Sequence, residues 1–128
     1  MTKKTLTVTI NKPIEVVFEA SINPSNTPLW IDTMAEEQTS EWPVKLGTKY
    51  KNRGHAGDWT DYTVSKLKLN QLFELSQDAG DYRVEYIYTA IAKDVTDLQY
   101  TEWVESGELQ NPLTMETLNK LKNLIESR

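Results

Sequence analysis

A chain of 128 residues is the length of one domain, and Leu, Ile, Val and Phe supply about 23% of it, above the roughly 20% below which chains tend to stay disordered. The absence of cysteine excludes thiolate catalysis, Cys-ligated zinc and iron–sulfur clusters, and a single histidine, His55, excludes multi-histidine metal sites. The formal charge of −5 repels polyphosphate, so no nucleic-acid partner is expected, and no apolar stretch reaches the roughly 20 residues of a membrane span. The expectation is a single cytoplasmic domain over residues 1–128 that carries no metal and no cofactor.

In chain order, Thr5 to Ile10 alternates threonine with aliphatic residues, which predicts an opening strand with Leu6, Val8 and Ile10 on one face. Ile14, Val17, Phe18 and Ser21 then recur at helical spacing after Asn11-Lys12-Pro13, predicting a short helix from about Pro13 to Ala20. Asn23-Pro24 and Thr27-Pro28 each place a capping residue before a proline, so a turn and a second short helix carrying Leu29, Trp30 and Ile31 follow. From Ala35 to about Leu98 the pattern changes to strands. The breaks fall at Pro43–Gly47, Gly54–Asp58, Lys68–Asn70, Ala79–Asp81 and Lys93–Asp97, the spacing of an antiparallel meander.

Within the meander, parity places Thr60, Tyr62 and Val64 on one face, and likewise Tyr82, Val84, Tyr86, Tyr88 and Ala90, and Leu98, Tyr100, Glu102 and Val104. Phe73 and Leu75 are placed inward on the same reasoning. At the C-terminus, Asn111-Pro112 predicts the start of a helix of about 15 residues whose apolar face carries Met115, Leu118, Leu121 and Ile125, with the Lys122 stem lying along that face. The predicted class is α+β: a strand, two short helices, about six more strands and a long closing helix.

This order and several local sequences resemble the START-like (SRPBCC) superfamily with its helix-grip fold, including the polyketide cyclase/dehydrase-like, birch-allergen-like and Hsp90-activator-like branches. The resemblance spans nearly the whole chain. It is carried by the opening strand running into Lys12-Pro13-Ile14-Glu15-Val16-Val17-Phe18, by Asn23-Pro24 leading through Pro28 to Trp30, by Leu46-Gly47-Thr48-Lys49-Tyr50, and by the closing Leu118 to Glu126. It implies a curved antiparallel sheet of six or seven strands wrapped around the C-terminal helix, with a cavity between them that accepts an apolar or amphipathic small molecule. The closing helix has only about 15 residues and the chain is shorter than many ligand-carrying members, which implies a smaller cavity or none.

On that reading Tyr50, Tyr62, Tyr86, Tyr88 and Tyr100 bring hydroxyls to the concave face, facing Met115 and Leu118 of the helix. Buried tyrosine hydroxyls need partners, which a polar-spotted cavity, water or an oxygen-bearing ligand would supply; ordinary core packing is the competing account. Trp30 and Trp42 flank the region where the mouth of such a cavity lies in folds resembling this one. Glu102 points inward by parity and is the candidate acid or base; in the opposite register Trp103 packs inward and Glu102 is a solvated charge. Asn52 shares the parity of Thr48 and Tyr50 and is a candidate hydrogen-bonder. Glu36, Glu37, Gln38 and Glu41 are expected to be solvated, and His55 with Asp58 to occupy a hairpin tip.

Three functions fit. The first is a small-molecule binding protein. The second is a cyclase, dehydratase or hydrolase using Glu102 and cavity tyrosines. The third is an Hsp90-activator-like module that binds a protein partner through Trp59 or Trp103.

Overall fold

The computed structural model describes residues 1–128. Strand β1 (Thr2–Ile10) is followed by helix α1 (Ile14–Ile22), the single-turn helix α2 (Thr27–Trp30), and the strands β2 (Met34–Thr39), β3 (Lys49–Gly54), β4 (Trp59–Lys68), β5 (Leu72–Gln77), β6 (Arg83–Ala92) and β7 (Val95–Val104). Helix α3 (Met115–Glu126) closes the chain. The seven strands form one sheet in the order β1-β7-β6-β5-β4-β3-β2, every pair antiparallel. Bulges at Met34/Glu36, Val64/Lys66 and Ala90/Ala92 bend three of the strands and help curl the sheet.

Since β1 and β2 lie at opposite edges, the α1–α2 segment that joins them must cross the open side of the curl. Its buried face, Val17, Phe18, Ala20, Ser21 and Ile22, meets the apolar parity of the sheet. Helix α1 ends where Asn23 and Pro24 interrupt the helical pattern. Asn26 Nδ2 then donates to the Ala20 carbonyl at 3.0 Å, meeting one of the carbonyls the helix end leaves free.

The inward parity read from the sequence holds along most of the meander: Val64, Phe73, Leu75, Val84, Tyr86, Tyr88, Leu98, Tyr100 and Val104 are all buried. Ala90 is exposed, because it lies next to the β6 bulge beyond the covered part of the sheet. Strand β7 carries no bulge, and Glu102 is buried with Trp103 on the other parity.

The closing helix starts later than predicted. Thr114, not Asn111, is its N-cap, its hydroxyl accepting from Thr117 N at 3.3 Å. The Leu113 N–H is drawn away to the buried Glu102 carboxylate at 3.0 Å, and Asn111 adopts φ = 50°, so the Asn111-Pro112 pair is a connector, not a helix start. Twelve residues remain, about 18 Å of helix. Leu118, Leu121 and Ile125 are fully buried against β1, α1 and α2. The far end is tied down by Glu126, which accepts from Asn11 N at 2.8 Å and from Lys122 at 2.8 Å.

Replacing Leu121 with alanine is expected to cost about 3 kcal/mol, within the 2–5 kcal/mol usual for a fully buried leucine. Urea unfolding would measure this, and a loss below 1 kcal/mol would mean that α3 is not anchored as described. Glu102→Leu is expected to cost about 1–3 kcal/mol by leaving the Leu113 N–H without its acceptor, whereas Glu102→Gln, which keeps an acceptor oxygen, should cost less.

Candidate functional site

A cavity of about 90 Å³ lies between the concave face of the sheet and the α1–α2 segment. Its wall is aromatic: Tyr50, Tyr62, Phe73, Tyr86 and Tyr100, one from each of β3 to β7, and Tyr82 from the approach to β6. The rings meet at steep angles. Phe73 packs edge-on to both Tyr50 and Tyr86, at centroid distances of 5.6 and 5.8 Å, and Tyr86 is tilted against Tyr100 at 5.4 Å. The roof comes from Ser21, Ile22, Thr27 and Ile31, and Met34, Glu37 and Asn52 close the side where β2 and β3 approach α2.

Glu37 is the one carboxylate in this lining, and no lysine, arginine or histidine joins it. Its Oε1 accepts from the Thr27 hydroxyl at 2.6 Å and its Oε2 from Asn52 Nδ2 at 3.2 Å, its cross-strand partner in register. Both donors are neutral. Burial therefore dominates and pushes the Glu37 carboxyl up from its ordinary value of 4.5 to about 7, against the opposing pull of those two hydrogen bonds. Neighbouring Glu36 faces the other way and pairs with Arg53 at 3.2 Å.

The tyrosines differ in how their hydroxyls are met. Tyr50 donates to the Ile22 carbonyl at 2.8 Å, and Tyr88 shares a 2.6 Å hydrogen bond with Ser21. Tyr82 lies 3.4 Å from Glu102 Oε1. The Tyr86 ring is packed among Phe73, Tyr88 and Tyr100. Burial holds the pKa values of Tyr50, Tyr62 and Tyr86 above the ordinary 10, and the Glu37 charge adds to the rise at all three. These phenols stay protonated and can donate.

Of the residues singled out from the sequence, Tyr50, Tyr62, Tyr86 and Tyr100 meet in this cavity, together with Asn52. Tyr88 is buried beyond its wall, bonded to Ser21. Trp30 is fully buried in the core, and Trp42, 44% exposed, lines a separate apolar groove with Phe18, Pro43, Val44 and Leu67. Ile22 belongs to both linings and is the partition between cavity and groove. Met115 is 38% exposed and Leu118 lies in the core; neither lines the cavity, which sits under α1–α2 and not against α3. Glu102 is buried outside the lining, its oxygens turned to Leu113 and Tyr82. His55 sits on the exposed β3–β4 turn, hydrogen-bonded to the Asp32 carbonyl at 2.8 Å.

Glu37 is the residue that the sequence reading missed. Strand β2 reads Met-Ala-Glu-Glu-Gln-Thr, which has no apolar alternation to define an inner face. From Met34, strict parity would turn Glu36 inward. The bulge at Met34/Glu36 shifts the register by one and brings Glu37 in beside Met34. The readable signal was Asn52, whose inward parity on β3 marks the position opposite Glu37.

No family model and no curated protein matches the chain. Solved structures do. The chain is similar to the protein XoxI from Bacillus cereus, with a TM-score of 0.73 at 12% identity over 98% of this chain and 96% of that one. It is similar to the Aha1 dimer from Colwellia psychrerythraea, with a TM-score of 0.63 at 15% identity over 98% and 90%. It is also similar to the di-domain ARO/CYC StfQ from the steffimycin biosynthetic pathway, with a TM-score of 0.69 at 12% identity over 97% of this chain and 44% of that one. The fold is therefore helix-grip, the fold of the SRPBCC superfamily that the sequence resembles. No helix is long and apolar enough to cross a membrane.

Because the native state holds the Glu37 proton more tightly than the unfolded chain does, its contribution lowers stability as pH rises from about 4.5 to about 7 and is constant above. Glu36, Asp78 and Glu126, whose pKa values are lowered by their hydrogen bonds, act in the opposite sense and at lower pH. Glu37→Gln is therefore expected to flatten the fall in stability between pH 5 and pH 7.5. Chemical denaturation at both pH values reads this directly, and an unchanged slope would contradict it.

Proposed function

We propose that the protein binds a small amphipathic molecule in the cavity beneath α1–α2, its polar group on Glu37, Asn52 and the tyrosine hydroxyls and its apolar body against Phe73, Leu75 and Val84. The observation that supports this most strongly is the polar lining itself. A carboxyl group with two neutral donors, surrounded by phenols and enclosed by apolar side chains, is an expensive arrangement to keep in a core that only needs to pack. Helix-grip proteins typically carry a cavity at the concave face of the sheet, and the resemblance to them points the same way.

The volume is far below the roughly 300–1,000 Å³ of pockets that take drug-sized molecules, which limits a ligand held here to a compact molecule of a handful of non-hydrogen atoms. A longer apolar molecule would require Ile22 to move and join the cavity to the Trp42 groove. A reaction on the bound molecule would find its nearest carboxyl group in Glu37. Glu102, by contrast, is engaged by the chain that leads into α3.

A panel of compact molecules of five to seven non-hydrogen atoms, each with one polar group on a branched hydrocarbon body, would be titrated while ring signals of the cavity tyrosines are followed by NMR. Saturable shifts are expected in the wild type. Val84→Phe, which fills the cavity from β6, should abolish them while the protein remains folded. Absence of any saturable shift across the panel, or binding that survives Val84→Phe unchanged, would refute the reading.

A further inference from the structure

The chemistry of the lining narrows the ligand class. Glu37 is the sole charged group in the cavity and has no cation opposite it. Its contacts, Thr27 and Asn52, are uncharged, and the titratable groups that face it from β3, β4 and β6 are Tyr50, Tyr62 and Tyr86, all held in their neutral form. Further along the wall stand Tyr82 and Tyr100, with Glu102 behind Tyr82. Arg53 is on the opposite parity with Glu36, and Lys120 is paired with Asp32 outside the cavity. An inward carboxylate without a counter-ion is a standing electrostatic cost that a cationic ligand would relieve.

The surrounding surface suits one kind of cation. A bare ammonium needs three hydrogen-bond acceptors to replace its water, and this wall offers mainly rings. An alkylated ammonium spreads its charge over C–H groups that pack favourably against aromatic rings, the arrangement of aromatic cages. We propose that the cavity recognises a small alkylated ammonium group, neutralised by Glu37 and enclosed by the rings of Tyr50, Tyr62, Phe73, Tyr86 and Tyr100. This inference rests on the small-molecule reading above and specifies the polar group that the cavity selects.

Three probes of similar shape separate the possibilities: tetramethylammonium as the cation, tert-butanol as the neutral analogue and pivalate as the anion. Binding is read from the tyrosine ring signals at pH 7.5. Tetramethylammonium is expected to bind at least tenfold more tightly than either of the others and to weaken at least tenfold at pH 5.5. The cation itself does not titrate, so that weakening reports proton competition at Glu37. Glu37→Gln should reduce the affinity at least tenfold and remove the pH dependence. If that variant does not fold, the wild-type pH series carries the test. Equal or tighter binding of tert-butanol or pivalate overturns the ammonium assignment while leaving a small-molecule cavity in place. Tetramethylammonium binding that is indifferent to pH also overturns it. If none of the three perturbs the tyrosines, the ammonium assignment falls, and the wider panel above decides whether the cavity reading falls with it.

Discussion

Twelve residues of helix cannot cover the concave side of a seven-stranded sheet, and the rest of the architecture follows from that shortfall. Helix α3 spends its apolar face on β1, α1 and α2. The remainder of the concavity is spanned by α1 and α2, which must cross it because they join strands at opposite edges. Two short helices broken by Asn23-Pro24 make an imperfect roof. Where they fail to fill the space, aromatic side chains from five strands and the β5–β6 turn converge on a void. Large rings reach across such a gap without closing it, because rings that meet at steep angles leave space between them.

Placement of the cavity under α1–α2 changes which residues matter. The face of α3 is structural: Leu118, Leu121 and Ile125 fasten the helix, and Glu102 fastens the segment that leads into it. A buried glutamate accepting a backbone N–H from a connector 11 residues away is a fold-specifying contact, since it decides where the final helix begins. Glu37 has the opposite character. Its hydrogen bonds come from two side chains and fix no backbone, and burial raises its pKa toward neutrality, where its charge state responds to whatever shares the cavity.

The groove beyond Ile22 is a separate apolar surface. Trp42, Leu69 and Pro43 border it on one side and Phe18 on the other, with Glu15 and Glu19 at its rim. It meets the inner cavity at a single shared side chain, Ile22, which separates the two.

Local sequence determined much of this protein. Period-two alternation in β1, β6 and β7 assigned the inner face of those strands except at Ala90, because a strand buried on one side has no freedom to shift register without exposing its apolar set; between Glu102 and Trp103 it left a choice that the unbroken register of β7 decided. Proline and asparagine punctuation located both short helices, and apolar spacing identified the buried face of α3. Tertiary structure decided what such patterns cannot encode. A bulge in the polar strand β2 selected Glu37 over Glu36, and an acceptor on β7 moved the start of α3 from Pro112 to Met115. The short helices, not the long one, became the roof of the cavity. In each case the outcome depended on groups distant in sequence meeting in space, and a pattern read along the chain carries no information about which partner arrives.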